Sequence, residues 1–259
     1  MDRATIIGIV FGLGLVLWGV RSGGPFSLFW NPEAALIVFG GTAAAVTISY
    51  RMTDIIRTGS ILKRAFITRQ MPLPEIVQKL VELAGKVQRS GHLSLQEDLP
   101  KIRDPFMAQG IRMIVNGMSV SYIRDVLAAE ILYLRDRHRI GQGIFEMAGA
   151  MAPSFGLCGT VTGMIQMLPK LKTPEEVGVH FAMAMVATFY GVVLANLIFI
   201  PLAGKLRLRS QEEVVAKEII LEGILSIAEE EHPRLVEQKL RSVLKNTVEG
   251  GSRREKLAG

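Results

Sequence analysis

Two threonines in apolar surroundings are the residues of this chain best placed to do chemistry. Thr160 lies within APSFGLCGTVTGMIQML, residues 152–168, with Gly156 and Gly163 at i−4 and i+3. These three share one stripe of a helix. Thr188 stands in a matching stripe with Ala184, Gly191 and Ala195. Gly159 adds a further small residue beside the first stripe. Such stripes have two uses. They let a second backbone come close, with each threonine bonding the carbonyl four residues back in its own helix. Alternatively, they line a narrow ion path in which the hydroxyl oxygens serve as ligands or water partners. Pattern alone leaves both readings open, and assigns Gly156, Gly159, Gly163 and Gly191 to helix packing.

What is missing narrows the second reading. Glu33, Glu146, Glu175 and Glu176 all sit at or beyond the ends of the apolar segments, so none of those segments carries a deep carboxylate. A proton or sodium relay usually needs an anionic or titratable group inside the membrane. If this chain moves ions, a partner supplies that group. Pro153 and Pro201, near the start of one apolar segment and the end of another, each remove a helix hydrogen bond. Each reads either as a tolerated kink or as a hinge.

Other chemistry has no support in the sequence. His92, His138, His180 and His232 are far apart, without the spacing of metal ligands, and read as surface or helix-end histidines. The single cysteine, Cys158, permits no disulfide within the chain. Gly40-Gly41-Thr42 lacks the lysine and spacing of a phosphate loop. There is no nucleophile–base set. The chain is therefore expected not to be an enzyme, to hold no metal or cofactor and to bind no nucleic acid.

The elements that position the two stripes are membrane helices. Of 259 residues 49% are hydrophobic, the formal net charge is +6, and mean hydropathy is positive. That combination indicates an integral membrane protein with basic cytoplasmic parts. Four segments lack charged residues: Ala4–Val20, Ala34–Tyr50, Met147–Pro169 and Val177–Gly204. The last two exceed the roughly 20 residues a span needs, and the first two lie near the lower limit. The N-terminal run ends at Trp18-Gly19-Val20-Arg21 without a small-x-small cleavage site, so it reads as a retained helix. Fifteen Lys and Arg fall in Arg51–Arg139 and eleven in Lys205–Lys256, against one in the first short turn and two in the last. The positive-inside rule then places both termini and the 51–142 loop in the cytoplasm.

The expected fold is all-α and polytopic: a hairpin of two spans (1–50), a helical cytoplasmic domain (51–142), spans three and four (143–204), and cytoplasmic C-terminal helices (205–259). Within the loop, Ile76, Leu80, Leu83 and Val87 form an amphipathic stripe that begins at Leu73-Pro74 and stops at Ser90-Gly91. Phe106–Val115 reads as a short helix ending at Asn116-Gly117. A long helix capped by Ser119 or Ser121 leads towards span three. An amphipathic helix is expected from Arg207 to Glu231, a short helix from Pro233, and disorder from Glu249 onward. Charges of both signs cluster at Lys86, Arg89, Glu97, Asp98, Lys101, Arg103 and Asp104. They read either as a solvated face or as a surface for a charged partner.

APSFGLCGT in span three, VATFYGVVLANLIFIPLAGKL in span four, and the large loop before span three resemble the flagellar motor stator proteins MotA and PomA of the MotA/TolQ/ExbB superfamily. The resemblance covers nearly the whole chain. It implies a homopentameric ring around two copies of a single-span MotB- or PomB-type partner in the lipid bilayer. The partner brings the membrane aspartate that binds the translocated Na⁺ or H⁺. Ion flow then turns the ring against the rotor protein FliG. The resemblance assigns Thr160 and Thr188 to the ion path, and Pro153 and Pro201 to conformational coupling. It assigns Arg89, Glu97, Asp98 and Lys86 to rotor contact. Gln88 and Gln96 depart from its pattern of a second basic and a second acidic residue. Threonine in both spans favours sodium over proton, since two hydroxyls help strip a hydrated Na⁺. The competing expectations are an ExbB/TolQ-like energiser with three spans, and a membrane scaffold without ion flux.

Overall fold

An asparagine and an aspartate that precede prolines start two of the helices in the computed structural model, which describes residues 3–67, 71–172 and 174–255. The Asn31 side chain accepts from the Ala34 N–H at 2.9 Å, and Pro32 supplies the first helical φ. Asp104 accepts from the Phe106 and Met107 N–H groups, both at 2.9 Å, ahead of Pro105. Among the described residues every regular element is helical.

The chain divides into two units, one of residues 1–68 and 138–208, the other of 69–137 and 209–259. The first unit begins with α1 (Arg3–Gly23). After a short 3₁₀ turn, α2 (Pro32–Ala35) passes through a π turn at Leu36–Gly40 into α3 (Gly41–Ser49). Tyr50 is extended and separates α3 from α4 (Met52–Ile67). The segment 51–67 thus belongs to this unit, whereas a boundary at residue 50 was expected. The unit also takes the second part of α7 (Val120–Met167), then α8 (Pro174–Val193), a π turn at Leu194–Phe199, and the start of α9 (Ile200–Ala228).

By length and apolarity three helical stretches suffice to cross a membrane: Phe26–Ser49, Val120–Lys170 and Glu176–Ala228. Val10–Gly23 is a shorter apolar helix. Their hydroxyl side chains turn inward on their own helices. Thr42 donates to the Val38 carbonyl at 2.6 Å, Thr47 to Ala43 at 2.7 Å, and Thr162 to Cys158 at 2.9 Å. In apolar surroundings this satisfies each hydroxyl without a second chain. The Leu194–Phe199 turn is separated from Pro201 by Ile200 alone. A proline ring crowds the carbonyl four residues back, here Leu197, and the widened turn accommodates it. Inside that turn the Asn196 amide donates to the Val192 carbonyl at 2.9 Å.

The second unit contains α5 (Leu73–Ser90), α6 (Pro105–Val115), the first part of α7, the later part of α9, and α10 (Pro233–Glu255). The expected stripe Ile76, Leu80, Leu83 and Val87 is buried on α5, against Phe106, Ile111, Ile123, Leu127, Ile220, Ile224 and Leu240. Gly91, at φ +74°, ends α5 in a conformation that disfavours any residue with a Cβ. Ser119 caps α7, accepting from the Tyr122 N–H at 3.3 Å.

Two expectations for the C-terminal region are corrected. The amphipathic helix that was to begin at Arg207 is continuous with the apolar segment before it and ends at Ala228. The last helix is not short but runs to Glu255, so the first part of the expected disordered tail is helical. Residues 256–259 lie outside the described residues. Stability of the second unit rests on close approach at Gly110, where an added Cβ would meet Ile224 Cδ1 at 2.2 Å. Gly110→Ala should destabilise the chain by about 1–3 kcal/mol through overpacking, read as a lower unfolding midpoint of the purified full-length protein.

Candidate functional site

In the first unit the two threonine stripes face one another. Thr160 Oγ1 lies 3.1 Å from the Gly156 carbonyl oxygen and 3.0 Å from that of Ala184, and is in hydrogen-bond contact with Thr188 Oγ1. Thr160 is half-buried and Thr188 exposed. A hydroxyl has one hydrogen. With two carbonyls competing for it, the Thr160 hydrogen goes to a carbonyl. The Thr160–Thr188 contact then takes the hydrogen of Thr188. The exposed Thr188 oxygen is left to present lone pairs, an arrangement suited to a cation or to the O–H of a protonated acid.

Glycine permits this contact. A Cβ on Gly156 would stand 3.0 Å from the Ala187 carbonyl oxygen and 3.2 Å from Thr188 Cα. On Gly191 it would meet the Ala152 carbonyl oxygen at 2.5 Å and Pro153 Cα at 3.1 Å, and on Gly163 the His180 carbonyl oxygen at 2.8 Å. These neighbours are backbone atoms and cannot swing aside. Gly159 faces the Ala187 methyl at 2.5 Å. All four glycines therefore lie where α7 and α8 meet. Pro153 sits inside α7 beside Gly191, and Pro201 lies in the first turn of α9.

Residues that pattern reasoning passed over support the same wall. Tyr190 donates its hydroxyl hydrogen to the Phe29 carbonyl and accepts from the Asn31 N–H at 3.4 Å. The 3₁₀ turn of Phe26–Phe29 is thereby tied to α8, with Phe29 and Phe189 edge to face at 5.5 Å. A tyrosine within an apolar run was the available signal, because a buried phenol needs a partner. Glu146 and Arg207 form an ion pair between α7 and α9.

The charged cluster belongs to the second unit and divides in two. Asp98 is buried to 8% exposure and is held by Lys86 at 2.8 Å and Lys101 at 3.4 Å. Lys86 also reaches Glu97 at 3.1 Å. Asp104 is consumed as the α6 cap. Arg89 and Arg103 are exposed, as is most of Glu97. Of the four residues assigned to rotor contact, Arg89 and Glu97 face outward, whereas Asp98 and Lys86 are engaged with each other. No group of three or more His, Cys, Asp or Glu comes together to hold a metal among the described residues.

The profile of the MotA/TolQ/ExbB proton channel family matches residues 98–219. Over 253 residues the chain is 32% identical to chemotaxis protein PomA of Vibrio alginolyticus, covering 98% of each. It is 34% identical to motility protein A of Bacillus subtilis (strain 168), covering 93% of this chain and 90% of that one. The flagellar MotAB stator complex from Bacillus subtilis aligns with a TM-score of 0.85 at 33% identity, over 92% of this chain and 94% of the other. The C. jejuni MotAB structure aligns at 0.86 and 27% identity, over 94% and 96%. This chain is a member of the MotA/TolQ/ExbB proton channel family. Within it, these relatives are named as a chemotaxis protein and a motility protein.

The Lys86–Asp98 bond gives a pH test. The hydrogen bond from Lys86 holds the Asp98 carboxyl below its ordinary 3.8. The same bond, with Asp98 as acceptor, holds the Lys86 ammonium above its ordinary 10.5. A lowered carboxyl stabilises the fold above its unfolded value, and that contribution is lost as pH falls through the folded value. A raised ammonium stabilises below its unfolded value, and that contribution is lost as pH rises through the folded one. Hydrogen exchange of residues 91–104 should therefore accelerate, beyond its intrinsic pH dependence, below about pH 4 and above about pH 10. In Asp98→Asn both changes should flatten.

Proposed function

We propose that this chain is the ion-conducting subunit of a flagellar stator, converting a transmembrane ion gradient into torque on the rotor. The observation that carries the reading is the contact between half-buried Thr160 and exposed Thr188 on a glycine-built wall. Among the described residues the wall lacks an acid, and the aligned structures are MotAB complexes. The missing carboxylate is accordingly the aspartate of a single-span MotB- or PomB-type partner, which binds the translocated ion.

In this reading the chain crosses the inner membrane four times, with both termini and the charged loop in the cytoplasm. The 21 residues of α1 reach about 31 Å by helical rise, enough to span. Five copies surround two partner chains within the lipid bilayer. Arg89 and Glu97 meet the rotor protein FliG, while Lys86 and Asp98 shape the loop that presents them. Pro153 and Pro201 are the points where α7 and α9 flex as the ion passes. Sodium is favoured over proton, because the paired hydroxyls can replace part of a hydration shell. The ExbB/TolQ-like reading has less support, since the relatives matched over nearly their whole length are a chemotaxis protein and a motility protein, and the aligned structures are MotAB complexes.

Thr188→Ala should slow rotation severalfold at limiting sodium while leaving the amount of assembled stator unchanged. Tethered-cell speed against sodium concentration, with and without a protonophore, checks this. Unchanged speed at limiting sodium would sink the sodium role of Thr188. Speed that collapses with the protonophore alone would assign the proton instead.

A further inference from the structure

Within the first unit the antiparallel contact between α7 and the α8–α9 stretch is closed by polar side chains at two levels, and in the second unit Arg135 of α7 pairs with Glu218 of α9. At one level stands the Thr160–Thr188 contact. At the other, Glu146 of α7 accepts from the Arg207 guanidinium of α9. Between them the helices touch through small groups: Gly191 against Ala152, and Gly149 with a Cβ position 3.0 Å from Ile200 Cγ1. Both prolines lie between the two levels. Pro153 falls midway from Glu146 to Thr160 on α7, and Pro201 falls between Thr188 and Arg207. Each proline removes a backbone bond from the stretch joining the levels. A bend there moves one level relative to the other only if the far level is held.

We propose that the Glu146–Arg207 pair is the clasp nearest the prolines, fixing α7 against α9 there so that movement at the threonine level is passed along both helices instead of being lost as they splay locally. The proposal rests on the stator reading above. Glu146 and Arg207 are positioning residues and touch no ion. Both helices continue past the clasp, α7 back to Val120 and α9 on to Ala228. Both side chains are exposed, so the pair adds little to stability, and its task is geometric: the planar fork of a guanidinium fixes the orientation of a carboxylate as well as its distance.

The test separates conduction from torque. The full chain and its Glu146→Gln, Arg207→Gln, Arg207→Lys and charge-exchanged Glu146→Arg/Arg207→Glu variants are each co-expressed with an aspartate-bearing single-span partner. Ion conductance of the cells and tethered-cell speed are then measured. The neutral variants should conduct within about twofold of the parent, which also shows that they assemble, yet rotate at under about one tenth of its speed. Arg207→Lys and the exchanged pair should each regain a substantial part of the speed. The proposal is overturned if the neutral variants lose conductance and speed together, or if they keep both. It is equally overturned if neither Arg207→Lys nor the exchanged pair turns faster than Arg207→Gln. A parent chain that fails to conduct with its partner would instead defeat the stator reading.

Discussion

The first unit depends on backbone touching backbone where α7 meets α8. Gly156, Gly163 and Gly191 each bring a main-chain atom of the opposite helix within 3.0 Å of where a Cβ would stand. In a membrane, where apolar side chains gain little from leaving lipid, such close packing is a main source of helix association. It also sets the spacing at which two short side chains can meet. A threonine hydroxyl cannot reach across helices held apart by leucine. Packing and ion-path readings of the small stripe are therefore not rivals: the glycines pack so that the threonines can touch.

Much of the second unit was legible in the sequence because its signals are local. Proline after Asp104, glycine after Ser90 and the apolar spacing of Ile76 to Val87 each act within a turn or two, and the helices end where those residues require. What was not legible is non-local. The pairing of Lys86 with Asp98 depends on the path taken by residues 91–97, and a run of mixed charges does not say which members are consumed inside the fold. Continuity of α9 through residue 207 was missed because a change from apolar to charged composition resembles a boundary, while the backbone has no reason to stop there. In the candidate site each stripe could be read on its own helix. Tyr190's reach to Phe29 could not, since it joins residues 161 positions apart.

The charged loop shows how structure sorts residues of one chemical type. Asp98 and Glu97 are neighbours with the same functional group, yet one is buried against two ammonium groups and the other has 81% of its side chain exposed. The buried member ties the loop to α5 through Lys86, and its neighbour also reaches Lys86 while most of its side chain stays in solvent. Lys86, Asp98 and the Asp104 cap maintain the shape of the loop, and Arg89 and most of Glu97 remain exposed on it.

The widened turn at Leu194–Phe199 has a consequence for helical phase. Each residue of a regular helix advances about 100° around the axis, and a π turn inserts roughly one residue without lengthening the helix to match. Directions counted from Thr188 at ordinary spacing are therefore out of step beyond Phe199. The turn acts as a rotary offset between two stretches of one continuous helix. It lets the part before it present a hydroxyl to one neighbour while the part after it aims a guanidinium by a separate setting. Sequence changes on either side can then be selected without dragging the other face out of alignment.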